Sequence, residues 1–201
     1  YYHINRLPEA EADYNAALAL QKQLAADFPD QPALQNGAAG TAGNLALTSR
    51  DRGAFEKARE YLELARPHHA AALKVSPQNP SCRQFYRNNL MTLASVHAGL
   101  LEPTDAVRTA EVIRDLGWNP PQDAFDAAVA LSECIPIAAR HAKLDASQRK
   151  MAAALYADEA MKMLTHAVAT GYRDGQEIRK NPQLAPLRSR NDFQKLLASL
   201  A

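Results

Sequence analysis

The sequence has few of the residues that hold small secreted domains together. Only two cysteines, Cys82 and Cys134, occur among 201 residues, and they form no C-x-x-C pair. This scarcity excludes a disulfide framework and a cysteine-based zinc site. We expect both thiols to pack as small apolar side chains.

Aromatic residues, long apolar runs and an excess of one charge are also lacking. Aromatic side chains make up 6% of the chain although 47% is hydrophobic, and alanine dominates the difference. Alanine is the best helix former, so the composition predicts an all-α fold. No run of about 18 apolar residues occurs, which predicts no membrane span. With 23 basic and 22 acidic side chains, the chain has no electrostatic footprint for nucleic acid.

Motifs of catalysis and metal binding are missing as well. His68 and His69 are adjacent, so on a helix they point about 100 degrees apart, and neither belongs to an H-E-x-x-H motif. His97 lies on an apolar helix face, which is typical of a core histidine. No serine has the context of a nucleophile elbow. The sequence therefore predicts no catalytic residue, no metal site and no cofactor.

The chain does contain a recurring triplet of residues. Each copy consists of an alanine at position i and two further residues at positions i+4 and i+7. Successive copies start 48, 48 and 54 residues apart, and Pro32 and Pro80 each precede a triplet alanine by 26 residues. Two markers in register predict an internal helical repeat. The four copies are Ala10–Tyr14–Ala17, Ala58–Leu62–Ala65, Ala106–Ala110–Ile113 and Ala160–Leu164–Ala167.

Periodicity, caps and breakers divide the chain into helices. Pro67 and Pro136 are expected to kink or divide the helices that contain them. We expect the partner of the first helix to lie upstream of residue 1. The predicted helices cover residues 7–27, 33–50, 54–75, 81–99, 102–116, 123–143, 145–170 and 174–180, with a closing helix from Asn191. They group into a truncated repeat (1–31), two repeats (32–79 and 80–119), a longer hairpin (120–171) and capping helices (172–201).

The pattern resembles that of tetratricopeptide repeats, whose helix-turn-helix units place small or apolar residues at these positions. One unit contains Leu45 and Ala46 followed by the triplet that starts at Ala58. The next unit contains Leu93 and Ala94 followed by the triplet that starts at Ala106. The resemblance implies a solenoid of antiparallel helical hairpins with a helical C-terminal cap. The 48-residue spacing exceeds the usual ~34 and implies longer helices.

A second resemblance covers more of the chain. The segments 10–29 and 167–200 resemble repeats appended to bacterial serine/threonine protein kinases and the closing segment of such arrays. This resemblance implies a catalytic domain upstream, because the chain itself contains no Gly-rich phosphate loop, no H-R-D and no D-F-G motif.

In stacked helical hairpins the first helices line a concave surface, which here predicts a groove for a peptide. Small, amide and cationic side chains along it suit an extended peptide, and arginine grips carboxylates in bidentate fashion. The predicted groove consists of Asn36, Gly40, Gly43, Leu47, Arg50, Arg83, Gln84, Arg87, Asn88, Met91 and Ser95.

These observations favour a non-catalytic scaffold that binds a protein or peptide in this groove. One alternative is a regulatory or docking segment of a multidomain serine/threonine protein kinase. Another is self-association through the unpaired N-terminal helix. Cysteine usage and the resemblance to kinase repeats predict a cytoplasmic protein.

Overall fold

Every regular element in the described part of the chain is a helix. The computed structural model describes residues 7–200, except for the side chains of Leu7, Pro8 and Ala10. Residues 7–200 contain no β-strand, which confirms the all-α prediction. The helices are α1 (Leu7–Asp27), α2 (Pro32–Asp51), α3 (Phe55–Val75), α4 (Pro80–Gly99), α5 (Pro103–Arg114), α6 (Pro120–Ala139), α7 (Ala146–Thr170), α8 (Gly175–Lys180), a 3₁₀ helix (Pro182–Leu187) and α9 (Asn191–Ala198).

The chain forms two compact units, Tyr1–Val96 and His97–Ala201. The division follows Val96, inside the segment 80–119 that the sequence assigns to one repeat. The division into five segments stays a prediction.

In the first unit, α2 packs against α1 on one side and α3 on the other. Their shared core is small and rich in alanine, with Leu18 and Leu45 as its largest fully buried members and Tyr14 packed against it. Hydrogen bonds join the same three helices. Gln35 Nε2 donates to the Ala25 carbonyl at 2.8 Å, and Gln35 Oε1 lies 2.7 Å from His68 Nδ1. Because the amide oxygen of Gln35 can only accept, His68 Nδ1 is the donor.

The recurring triplet marks the buried side of α3, α5 and α7. Ala58, Leu62 and Ala65 are at most 2% exposed, and the two downstream triplets are fully buried. In α1, Tyr14 and Ala17 are half-buried, while the side chain of Ala10 lies outside the described residues. Three of the four copies therefore supply core positions, as a repeat of helix-packing faces requires.

In the second unit, α6 and α7 pack as a hairpin joined by residues 140–145. The Tyr172 ring, just after α7, stacks on Phe125 of α6 with centroids 4.5 Å apart. Ser132 Oγ of α6 donates to the Gln183 carbonyl at 2.7 Å and so ties the 3₁₀ helix to α6. The C-terminal elements therefore close over the α6–α7 hairpin.

Local capping interactions define both ends of α7. Asp145 accepts a hydrogen bond from the Gln148 backbone N–H at 2.8 Å, and the Gln148 side chain accepts from the Asp145 N–H at 2.9 Å. This reciprocal pair is a capping box. At the other end Gly171 has a φ of 118°, the left-handed conformation in which helices commonly terminate.

The predicted bounds of α6 were wrong at both ends. The helix begins at Pro120 because proline suits a first turn, where no backbone N–H needs an intrahelical partner. Asp123 then serves as a cap within that turn, since its carboxylate accepts the N–H groups of Trp118 and Asn119 at 2.9 and 3.0 Å. The helix ends at Ala139, not at Lys143. Neither Pro67 nor Pro136 divides its helix.

The sequence predicted only a chain break at Asn181 and Pro182. The structure instead has a 3₁₀ helix there, capped by Asn181 Oδ1, which accepts the Gln183 N–H at 2.9 Å. Leu184 and Leu187, three residues apart, share its buried side and are fully buried.

Among the helices described within residues 7–200, none combines the length and apolar character needed to cross a membrane.

Candidate functional site

The first unit contains a cavity of about 310 Å³ lined mainly by α2 and α4. One residue of α1 and one of α3 complete its wall. We call it the α2–α4 cavity. Its lining consists of Gln21, Gly37, Ala39, Gly40, Thr41, Gly43, Asn44, Leu47, His69, Phe85, Asn88, Asn89 and Thr92.

Glycines keep the α2 wall of the cavity open. A Cβ at Gly40 would lie 2.7 Å from the Phe85 ring, so the glycine lets this ring of α4 approach the α2 backbone. A Cβ at Gly43 would meet no other atom within 4 Å. Gly40 therefore permits the close approach of the Phe85 ring, whereas the space beside Gly43 is left open by the described residues.

The cavity follows the 48-residue interval of the sequence. Four pairs of lining residues, one member on α2 and one on α4, are each separated by this interval. Equivalent positions of the two predicted repeats 32–79 and 80–119 thus line one cavity. The pairs are Gly37 with Phe85, Gly40 with Asn88, Thr41 with Asn89 and Asn44 with Thr92.

The cavity brings together Gly40, Gly43, Leu47 and Asn88 of the predicted groove. The other seven residues of that groove do not line it. Ser95 is fully buried, and its Oγ donates to the Thr92 carbonyl at 2.8 Å. Asn36 and Ser95 are buried, Arg50, Arg83, Arg87 and Met91 are half-buried, and Gln84 is exposed.

No charged side chain lines the α2–α4 cavity among the described residues. Arg50 pairs with Asp51 at 2.9 Å and approaches Ser95 Oγ at 3.4 Å. Arg83 Nε donates to the Pro77 carbonyl at 2.7 Å. The sequence predicted that arginine side chains would bind a ligand carboxylate in the groove. Among the described residues, no arginine lines this cavity to do so.

His69 is the one lining residue contributed by α3. It is 1% exposed, and its ring meets the edge of Tyr86 with centroids 5.6 Å apart. Neither ring nitrogen has a hydrogen-bond partner among the described residues. Burial, with a smaller contribution from the neighbouring His68, lowers the pKa of His69 to about 4. The imidazole is therefore neutral at pH 7, with one nitrogen as donor and the other as acceptor.

Two further lining residues carry buried polar atoms without partners among the described residues. They are Oε1 of Gln21, an acceptor, and Nδ2 of Asn89, a donor. Asn89 as a whole is 6% exposed. Because buried polar groups are normally hydrogen-bonded, this concentration at one cavity is unusual.

A second cluster of polar side chains lies in the second unit. Single ligand atoms of His97, Glu102 and Asp105 all fall within 4.8 Å of one another, close enough to surround one metal ion. His97 Nδ1 lies 2.7 Å from Glu102, and Asp105 pairs with Arg108 at 3.1 Å. These groups thus already have partners. His97 is a half-buried, hydrogen-bonded histidine, not a fully buried core residue.

The N-terminal helix and the residue after it expose large apolar side chains. Leu20 and Leu24 of α1 are 65% and 43% exposed, and Phe28, which follows the helix, is 52% exposed. Leu20 and Leu24, four residues apart, share a helix face. Self-association through this helix stays a prediction.

Several lining residues were not predicted. Phe85, Asn89 and Thr92 follow from adding 48 to Gly37, Thr41 and Asn44, so the repeat interval contained the signal. The predicted groove instead contained Gln84 and Met91, which each lie one position before the lining residues Phe85 and Thr92. Gln21 and His69 come from helices outside the predicted groove, and no sequence signal identified them.

Comparison of the chain with protein-family models, with curated proteins and with solved structures found no match.

Proposed function

We propose that this chain is a non-catalytic interaction module that binds an extended peptide of a partner protein in the α2–α4 cavity. The observation that carries the proposal is the convergence of Gly40, Gly43, Leu47 and Asn88, chosen from sequence as groove residues, on one cavity.

The chemistry of the wall suits a peptide. Carboxamides such as those of Asn44 and Asn88 can donate and accept at once, as a peptide bond requires. Leu47 and Phe85 offer apolar surface to a ligand side chain, and Phe85 is 39% exposed. The absence of lining charges favours a neutral segment, because a buried charge without a counter-charge is costly.

The non-catalytic part of the proposal rests on the lining groups. They include no carboxylate, lysine, cysteine or serine among the described residues, and His69 has no hydrogen-bonded nucleophile beside it. A general base normally lies within hydrogen-bond reach of the group that it activates.

We also propose that the helical hairpins are tetratricopeptide-like repeats. Support comes from the buried triplets of α3, α5 and α7 and from the four residue pairs separated by the repeat interval. Such repeats use the first helices of successive hairpins as a binding surface, which agrees with the position of the cavity between α2 and α4.

A selection from random peptides displayed on phage, with the full chain as bait, tests the binding proposal. The dissociation constants of the enriched peptides are then measured by fluorescence polarisation. We expect Gly43→Leu to weaken binding at least about tenfold, because its Cβ would meet no atom within 4 Å and the rest of the side chain would take up space in the cavity.

Ala70→Leu is the matched control. It adds a leucine to an exposed position of α3 outside the cavity, and binding should be unchanged. Equal affinity of Gly43→Leu and the wild type would move the binding site elsewhere. The absence of any enriched peptide would refute the proposed function.

A further inference from the structure

The buried atoms without partners at the α2–α4 cavity define a hydrogen-bonding pattern. Oε1 of Gln21 is an acceptor, Nδ2 of Asn89 is a donor, and the neutral ring of His69 supplies one donor and one acceptor. The three residues therefore offer two donors and two acceptors, all beside a cavity without lining charges.

Few common chemical groups complement this pattern. A primary carboxamide has two N–H donors and a carbonyl oxygen with two lone pairs, so its hydrogen-bonding groups match this set in number and kind. A hydroxyl or a single peptide bond has only one donor and leaves an acceptor unmet. A carboxylate has no donor and brings a charge, and an ammonium group has no acceptor.

We propose that Gln21, His69 and Asn89 recognise a primary carboxamide, the side chain of a glutamine or asparagine in the bound peptide. The inference rests on the proposed function for the source of this group. Free carboxamide compounds carry the same chemistry and form a separate arm of the test.

Discrimination follows from the burial of His69 and Asn89. Asn89 is 6% exposed and His69 is 1% exposed, so a bound ligand that fails to pair with them leaves buried polar groups unsatisfied. Sites built to hydrogen-bond a polar group reject analogues that lack it, because their own buried groups then remain unpaired. We therefore expect a preference of at least about tenfold for a carboxamide over an apolar group of the same size.

The test uses seven-residue peptide libraries with neutral residues at six positions and a fixed central residue. The central residue is glutamine, asparagine, glutamate or leucine, and binding to the full chain is measured by fluorescence polarisation. The glutamine or asparagine library should bind at least about tenfold more tightly than the other two. His69→Phe should reduce this ratio towards one while retaining leucine-peptide binding, since it removes both ring nitrogens and keeps an aromatic ring beside Tyr86.

His68→Phe is the matched control, because His68 is the adjacent histidine, lies outside the cavity lining and already hydrogen-bonds to Gln35. The preference for glutamine or asparagine should survive this change. Far-UV circular dichroism of both variants checks that helix content is retained.

The outcomes separate the two proposals. Peptide binding that Gly43→Leu abolishes, but that shows no carboxamide preference or keeps it in His69→Phe, overturns the carboxamide assignment and leaves the peptide site standing. If no library binds, the peptide proposal fails and free L-glutamine and acetamide become the probes. Thermal stabilisation by either compound, lost in His69→Phe, would support carboxamide recognition with a free ligand. No stabilisation by either compound would refute it.

Discussion

Replacing His69 with phenylalanine should stabilise the first unit at neutral pH. The imidazole is 1% exposed and neither nitrogen has a hydrogen-bond partner among the described residues. A buried polar group without a partner costs about 1–3 kcal/mol. Phenylalanine removes this cost and keeps the edge contact with Tyr86. We expect the free energy of unfolding at pH 7 to rise by about 1–3 kcal/mol.

The same substitution should flatten the pH dependence of stability. Burial lowers the pKa of His69 to about 4 in the folded protein, against about 6.5 in the unfolded chain. Between these values the unfolded chain binds more protons, so stability falls as the pH falls. For His69 the loss is about 2 kcal/mol between pH 7 and pH 5 and about 3 kcal/mol in total below pH 4.

Neighbouring titratable groups remain in both proteins and cancel in the comparison. The pKa of His68 is also lowered by burial, and this residue is present in both proteins. Tyr86, which faces the His69 ring, is unchanged in the variant. Glu11, whose pKa is lowered chiefly by its hydrogen bond from Lys57, contributes at more acidic pH. The difference between wild type and variant therefore reports His69.

Native-state hydrogen exchange of amides in α2 and α3 measures the stability of the first unit directly. It is preferable to tryptophan fluorescence because Trp118 belongs to the second unit. A pH dependence in His69→Phe as steep as in the wild type would refute the assignment of a buried neutral imidazole. A loss of more than about 1 kcal/mol at pH 7 would show that the ring nitrogens have partners after all.

Four further substitutions, two at glycines and two at Asp145, test local packing and capping. Gly43→Ala should stabilise the first unit by about 1 kcal/mol, because alanine is the better helix former and its Cβ meets no atom within 4 Å. Gly40→Ala should give no gain in stability, because its Cβ would lie 2.7 Å from the Phe85 ring. Equal changes in the urea midpoints of these two variants would contradict the packing argument. Asp145→Ala should lower the stability of the second unit by about 1 kcal/mol by removing the cap of α7, and Asp145→Ser should restore most of it. An unchanged melting temperature for the alanine variant would show that the capping box contributes nothing.

Much of the helical architecture could be predicted because its signals are local. The α1 bounds and the α7 cap follow from residues within a few positions of each other. The 3₁₀ helix left no such signal. Leu184 and Leu187 are fully buried, but one pair of leucines at a spacing of three, enclosed by Pro182 and Pro186, is too short to establish a helical period.

The candidate site was predictable where it depends on repetition and not where it depends on tertiary contacts. Gly40 and Asn88 follow from helix position and the 48-residue interval. His69 was not identified in this way. It continues the apolar face of Ala58, Leu62 and Ala65 on α3, but that spacing predicts burial and not a place beside the cavity. Only the folded chain gives His68 a partner in Gln35 and leaves His69 without one.

The destabilising features of the first unit, helix glycines and an unpaired buried histidine, all lie at the α2–α4 cavity. Gly37, Gly40 and Gly43 lie inside α2, where each costs about 1 kcal/mol relative to alanine. The Phe85 ring accounts for Gly40, but within residues 7–96 no packing contact explains the glycine at Gly43 and no group pairs with the His69 ring. Local choices that oppose stability are expected at functional sites and are otherwise unfavourable. A ligand that fills the space and hydrogen-bonds to the ring accounts for both.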